Sequence, residues 1–434
     1  MRHVLTACAL LALPVPALGQ SAAPTAEVRP DPAFDARVQQ LLAILQGSGD
    51  YAAFFAPAFV AQVPQPQFAA INAQLAAAHG APRAVLGARP SSPWDAIVRV
   101  RFGDVVALLR LVVDPQPPHQ VTGLLFQGFE AQEASIDAVV QAVRALPGQS
   151  GFALARLEAK GPKLLASYQP DRPLAIGSAF KLVILAELAR SIRAGERKWE
   201  DAVTLDGSPL PGGAYATAPK GTQLSYRVLA TQMISVSDNS ATDILLGALG
   251  REKIEAMMPV IGIENAARNR PFLSTLELFK LKGVEKGALG RRFSALDEPG
   301  RRAMLAGEVA AAPLAGIDPT LFRDGKPVGI DTLEWFESPA DLVRVLDWFR
   351  RNLTPELRAI LGKNPGVPDV AAARWSWIGY KGGSEPGVMS MHYLLQARDG
   401  GWYALSASWN DPAKDVDQMR FGSLIARAVE LSGN

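Results

Sequence analysis

Strand-like segments lie at the two ends of one long stretch of this chain, and no other feature of the sequence restricts the fold as much. Gly151 to Glu158 and Leu164 to Tyr168 read as paired strands near its start. Arg374 to Lys381, Gly387 to Ala397 and Trp402 to Trp409 read as three more near its end. The residues between them are mostly helical in pattern. Such a chain buries its strands by closing one sheet from its first and last elements, with helices packed on it. Amphipathic helices at Ile136 to Leu146 and Val416 to Leu431 flank the strands. The expected class is α+β.

A smaller unit precedes this one. Asp31-Pro32 reads as a helix N-cap followed by proline in the first turn. Phe34, Val38, Leu41, Leu42 and Leu45 then recur at helical spacing. A second helix is expected from Gln67 to Ala78, with Phe68, Ile71 and Leu75 on one side. The period then switches to two: Trp94, Ala96, Val98, Val100 and Phe102 alternate with more polar positions. Gly103-Asp104 is a tight turn into Val105 to Val113, and another strand runs from Val121 to Phe126. Residues 31–128 therefore form a small α+β domain in which a curved antiparallel sheet wraps helices, and residues 129–134 read as a linker to the domain at 135–434. The small domain carries no cluster of acids, bases or metal ligands, which favours support or partner binding over a second active site.

The first residues constrain location. Arg2 and His3 precede the apolar run Val4 to Leu13, then Pro14, Pro16 and Ala17-Leu18-Gly19. A basic start, an apolar stretch too short to span a bilayer and small residues two apart make a secretory signal over residues 1–19. A Pro/Ala-rich tether, 20–30, follows. Export to the periplasm or the exterior is the expectation. Leu5-Thr6-Ala7-Cys8 superficially fits a lipoprotein box, but the apolar run continues past it, so no lipid anchor is expected. Cys8 is the only cysteine, so the mature chain has no disulfide, cysteine nucleophile or thiolate metal site. Formal net charge is +2 over 434 residues with no concentrated basic face, which argues against nucleic-acid partners. No later apolar stretch reaches spanning length, and the protein is expected to work as a monomer.

Three short motifs carry candidate chemistry. Ser178-Ala179-Phe180-Lys181 precedes the apolar helix Leu182 to Ala189. A serine at a helix start lies near free backbone N–H groups, and a lysine three residues on shares its face. Burial lowers the pKa of such a lysine, so that it can accept the serine proton. Ser237-Asp238-Asn239 interrupts two apolar helical runs, leaving a hydroxyl to relay a proton and an amide to hold a carbonyl. Lys381-Gly382-Gly383-Ser384 follows a strand; its small residues leave room for a ligand, its cation favours an acidic group, and the Ser384 N–H can face an oxyanion. Each has an ordinary structural use when met alone: a capped helix, a capping turn, a strand end.

Together, in this order, they resemble the S-x-x-K, S-D-N and K-[ST]-G triplet of class A β-lactamases and penicillin-binding proteins, the penicillin-recognising superfamily. The two-domain layout is more specifically similar to the β-lactamase-like esterase of the clavulanic-acid biosynthesis cluster and its actinobacterial lipoprotein relatives, which put a cystatin- or NTF2-like domain before a β-lactamase fold. The resemblance implies a five-stranded antiparallel sheet with helices on both faces plus an all-α subdomain. It also implies that Ser178 is the nucleophile, Lys181 its general base and Ser237 the proton donor to the leaving group. Asn239 would position substrate, Lys381 would supply charge, and the N–H groups of Ser178 and Ser384 would form the oxyanion hole. Gly382, Gly383 and Ser384 would line the substrate strand. No cofactor is implied.

Two departures stand out. Gly382 replaces a threonine or serine, removing a hydroxyl for a substrate carboxylate, with Ser384 as its candidate replacement. The deacylating E-x-x-L-N loop is also missing. The corresponding stretch reads Asn269-Arg270-Pro271-Phe272-Leu273-Ser274-Thr275-Leu276-Glu277, and Glu277 is its nearest acid. An extra helical excursion bordering the site is expected from Gly283 to Pro339. These readings favour an esterase-like hydrolase or slow β-lactamase acting on a β-lactam or ester-like acyl donor. The alternatives are a DD-peptidase or transpeptidase acting on peptidoglycan peptides, or a non-catalytic envelope binding protein. A Ser-His-Asp hydrolase is disfavoured by four histidines and no G-x-S-x-G elbow, and metal catalysis by the absence of H-E-x-x-H.

Overall fold

The computed structural model describes residues 29–103, 105–130 and 133–433; the leader, Cys8, the turn residue Asp104 and most of the tether lie outside them. The chain divides into two compact units, Met1–Gln132 and Glu133–Asn434. Among the described residues no helix is long and apolar enough to cross a membrane.

The first unit runs α1 (Pro32–Leu45), α2 (Tyr51–Phe54), α3 (Pro57–Gln62), α4 (Gln65–His79), β1 (Pro82–Ser92), β2 (Asp95–Phe102), β3 (Val105–Val113) and β4 (Val121–Glu130). Asp31 accepts the Ala33 N–H at 2.8 Å and so caps α1. The strands form one antiparallel meander in chain order. Alternation in β2 buries Ala96, Val98, Val100 and Phe102 against α1 and an aromatic cluster in which Phe55 stacks on Phe59 at 4.2 Å. Some expectations need correcting. Ile71 is 42% exposed rather than on a buried face, and in α1 it is Ile44, not Leu42, that is buried. Strand β1 was not anticipated, because Pro82, Gly87 and Pro90 break its alternation. It is an edge strand with register shifts, where proline is tolerated. Strand β4 reaches Glu130, into the stretch read as linker.

The second unit begins with α5 (Ile136–Arg144), β5 (Gln149–Glu158), β6 (Gly161–Tyr168) and the short β7 (Leu174–Ala175). A 3-10 turn, Gly177–Phe180, leads into α6 (Lys181–Arg193). Then come the hairpin β8 (Ala202–Thr204) and β9 (Gln223–Ser225), and helices α7 (Tyr226–Ser235), α8 (Asn239–Leu249), α9 (Arg251–Val260) and α10 (Thr275–Gly283). The expected excursion holds α11 (Ala288–Ser294), α12 (Glu298–Met304) and a π turn, Leu305–Val309. Finally come β10 (Phe336–Glu337), α13 (Pro339–Arg351), α14 (Pro355–Gly362), α15 (Asp369–Ala372), β11 (Trp377–Glu385), β12 (Val388–Gln396), β13 (Trp402–Asn410) and α16 (Gln418–Ser432).

The main sheet is antiparallel in the order β11-β12-β13-β5-β6, so the last strand, β13, pairs with the first, β5. Alternate residues of β5 serve two cores. Ala153, Ala155 and Leu157 join α13 and α6, while Phe152 and Leu154 join α5 and α16. The edge strand differs from expectation in one useful respect. It does not end at Lys381 but continues to Glu385, with Gly382 opposite Met391 and Gly383 opposite Ser390, so the third motif lies within the strand.

Candidate active site

Ser178 is the second residue of the turn that starts α6, where N–H groups have no intrahelical acceptor. Gly177 has φ +47°, and a Cβ there would stand 3.0 Å from the Ser384 nitrogen. A Cβ on Gly383 would overlap the Ile176 carbonyl and the Ser178 nitrogen. Two glycines thus let the turn that carries Ser178 and strand β11 approach backbone to backbone. Ser390 fastens this approach, donating its hydroxyl to the Ile176 carbonyl at 2.7 Å. Beneath the turn Phe180 stacks on Trp335 at 3.5 Å, and Ile176 donates to the Trp335 carbonyl, so the far end of the excursion returns under the site.

Lys181 is the centre of the cluster. Its side chain is wholly enclosed, and Nζ lies 3.1 Å from Ser178 Oγ, 3.0 Å from Ser237 Oγ, 2.7 Å from the Ser237 carbonyl and 2.8 Å from Asn239 Oδ1. Burial lowers its pKa to about 7, against the opposing fields of Asp243 and Asp238. A neutral amine has two protons and one lone pair. The Ser237 carbonyl and Asn239 Oδ1 can only accept, so they take the two protons. The lone pair is left facing the hydroxyls of Ser178 and Ser237, which is the arrangement a general base requires.

The S-D-N break is built by caps. Asp238 accepts the Ala241 N–H at 2.7 Å to start α8, and also takes the Ser240 hydroxyl and the Ala214 N–H. Ser237 is held at φ +60°, an uncommon conformation for a non-glycine residue, with its hydroxyl between two lysine side-chain nitrogens. The second is Lys381, whose Nζ is 3.1 Å from Ser237 Oγ and 2.5 Å from the Gly382 carbonyl. Burial, and then the charge of Lys181, hold Lys381 well below the usual lysine range. His392, opposite Lys381 on β12, is kept neutral by burial and by that lysine, its pKa pushed down to about 3.

The cluster therefore brings together Ser178, Lys181, Ser237, Asn239 and Lys381, with Gly382, Gly383 and Ser384 along its edge strand. Asn239 serves Lys181 through Oδ1 and leaves Nδ2 for a ligand. Glu277 is not part of this set. It closes the capping box of α10 with Ser274 and receives Arg251 at 2.6 Å, and no bond joins it to the serines or lysines of the cluster. One contributor escaped the sequence reading: Asp243, one turn beyond Asn239 on α8, accepts the Thr275 and Leu276 N–H groups at 2.7 and 2.9 Å. Burial raises its pKa to about 6, opposed by those N–H bonds. Its helical spacing from Asn239 was the available signal. Among the described residues no group of histidines and acids is arranged to hold a metal.

A model of the β-lactamase enzyme family (Beta-lactamase2) matches residues 132–300, a span that includes Ser178, Lys181 and Ser237 but ends before Lys381. No curated protein matches. Among solved structures, a β-lactamase from Sphaerobacter thermophilus DSM 20745 is similar at 19% identity over 69% of this chain and 97% of its own, with a TM-score of 0.47. A β-lactamase from Chitinophaga pinensis DSM 2588 is similar at 16% identity over 69% of this chain and 98% of its own (TM-score 0.47). PBP-A is similar at 16% identity over 68% and 92% (TM-score 0.45). The stretch that matches the β-lactamase enzyme family model therefore carries Ser178, Lys181 and Ser237 of the cluster.

Proposed function

We propose that this protein is an exported active-site-serine hydrolase that forms an acyl-enzyme at Ser178, with esterase-like or slow β-lactamase activity. The observation that carries the proposal is the unprotonated-lysine geometry: Nζ of Lys181 within 3.1 Å of Ser178 Oγ, its two N–H groups spoken for and its pKa near neutrality. Ser178 Oγ attacks the acyl carbon while Lys181 takes its proton, and the oxyanion develops between the N–H groups of Ser178 and Ser384. Ser237, bonded to both lysines, passes a proton to the leaving group. Water must then cleave the acyl-enzyme. Glu277 is committed to Arg251 and to its own helix cap, which speaks against its activating that water and supports an adduct that outlives its formation. The leader-like residues 1–19 support export, and we read the first unit as a cystatin- or NTF2-like support or partner-binding domain.

Intact-mass spectrometry after exposure to a penicillin, a cephalosporin and an activated ester tests this reading. A lasting mass increase is expected, absent from Ser178→Ala. Neither adduct nor turnover with any of the three would overturn it and leave the non-catalytic alternative.

A further inference from the structure

Lys282, in the last turn of α10, is buried between two carboxylates, with Nζ 2.6 Å from Glu334 and 2.5 Å from Glu385. The three residues come from three separate parts of the second unit. Glu385 is the last residue of β11 and follows Ser384 directly. By the two-residue period its side chain leaves the strand on the same face as Lys381 and Gly383. Glu334 precedes Trp335, where the excursion returns. Trp335 stacks on Phe180 at 3.5 Å, its carbonyl accepts the Ile176 N–H, and its indole donates to the Leu273 carbonyl at 3.2 Å. One partner of Lys282 therefore adjoins Ser384, and the other adjoins the support of the turn that carries Ser178. These two backbones are close already: a Cβ on Gly177 would stand 3.0 Å from the Ser384 nitrogen. Strand β11 is paired on one side only, and its ladder with β12 stops at Glu385 opposite Val388. The ion pair at Glu385 ties that last residue to α10.

We propose that Lys282 is a positioning residue: by holding Glu385 and Glu334 together, it keeps the Ser384 N–H in place against the turn of Ser178, where the oxyanion of the acyl donor develops. This rests on the acyl-enzyme reading above and adds to it a group that touches neither substrate nor nucleophile. An oxyanion donor works only within about 2.7–3.1 Å of the oxygen it receives, so a small slip of β11 against the turn weakens it. Hydrogen bonds between ionised groups resist such a slip better than neutral ones, being roughly twice as strong. Burial works against the charge of Lys282, but the two carboxylates outweigh it. The cation, and with it the tie, therefore persists across the range in which Lys181 titrates.

The test reads the acyl carbonyl itself. The full chain is mixed rapidly with a penicillin, a cephalosporin or an activated ester, each isotopically labelled at its reacting carbonyl. The infrared stretch of the acyl-enzyme carbonyl and the rate of adduct formation are measured together. Hydrogen bonds from the Ser178 and Ser384 N–H groups lower that stretch. Glu385→Ala cuts the tie to β11 but leaves Lys282 and Glu334 as a matched pair, so the variant is expected to fold. It should move the stretch to higher wavenumber and slow acylation about tenfold, less than the roughly 10²–10³-fold that outright loss of an oxyanion donor costs. Glu385→Gln, whose amide oxygen still accepts from Lys282, should stay near the wild-type wavenumber. Lys282→Met should move it as Glu385→Ala does; if that variant does not fold, Glu385→Ala alone decides. A stretch that Glu385→Ala leaves unmoved overturns the inference whatever happens to the rate, since an ion pair that only stabilises the fold does not polarise the carbonyl. In that case labelling of Ser178 still leaves the acyl-enzyme standing. If the wild type neither labels nor turns over any of the three donors, the acyl-enzyme reading falls and this inference with it.

Discussion

Lys181 and Lys282 are both enclosed in the second unit, 0% and 2% exposed, yet their surroundings differ in kind. Around Lys181 every bonded oxygen belongs to a hydroxyl, a carbonyl or an amide, and the carboxylates of Asp243 and Asp238 act only through their fields. Around Lys282 there are two carboxylates, Glu334 at 2.6 Å and Glu385 at 2.5 Å. Burial alone would lower both lysines. It wins at Lys181, while at Lys282 the two carboxylates outweigh it and raise the pKa. The same side chain is drawn toward its neutral form in one place and held as a cation in the other. What decides is whether its hydrogen-bond acceptors are charged.

The comparison breaks most visibly if Lys181 is removed. Lys181→Met is expected to slow acylation of Ser178 by about 10²–10⁴-fold, the usual worth of a general base, while the protein still folds. Rates of adduct formation check this; a Met variant that acylates at the wild-type rate would assign the base to another group. Lys282→Met should behave in the opposite way. It leaves Glu334 and Glu385 facing each other without a counter-charge, and is expected to cost about 3–5 kcal/mol in urea unfolding. Glu385 is already held well above the usual carboxylate range by burial and by Glu334. Glu385→Gln imitates its protonated form, so it should cost far less than Lys282→Met. Equal losses from the two would mean the triad carries a different charge from the one argued.

The sequence made one of these two centres legible and hid the other. Ser178, Lys181, Ser237 and Lys381 stand in motifs with a chemical reason for their spacing, and helix caps and strand alternation placed those motifs on the right elements. Lys282 stands in an ordinary Leu-Lys-Gly helix end, and its partners lie 52 and 103 residues away. The return of the excursion beside Trp335 brings Glu334 and the end of β11 brings Glu385, and no local pattern encodes that meeting. Strand β1 was lost because the prolines an edge strand tolerates are the residues that make a strand unreadable.

The pH profile sharpens the contrast on a smaller scale. Acylation needs neutral Lys181, whose pKa is about 7, so its rate should rise with pH through that value and level off above it. Below pH 7 the slope should approach about tenfold per unit, as for a single titrating base. Lys282, protonated throughout, contributes no limb in this range. A flat profile between pH 5 and 8 would show that the lysine is not lowered as its surroundings demand.

Asp243 offers the finest test, because it is the carboxylate that most opposes the lowering of Lys181. Asp243→Asn removes that negative charge while the amide oxygen can still accept the N–H groups at the start of α10. With less negative field the ammonium form of Lys181 is less stable, so the rising limb should move to lower pH. A displacement of below one unit is expected, since the two groups interact through the field rather than a shared bond. Asp243 itself has a pKa of about 6, so wild type and variant should converge below that pH, where the wild-type carboxyl is also uncharged. The opposite outcome, a large loss of rate above pH 7 with no shift of the limb, would make Asp243 a proton acceptor rather than a field. The Lys181 centre would then contain a working carboxylate after all, and charged acceptors would no longer be what separates it from the centre at Lys282.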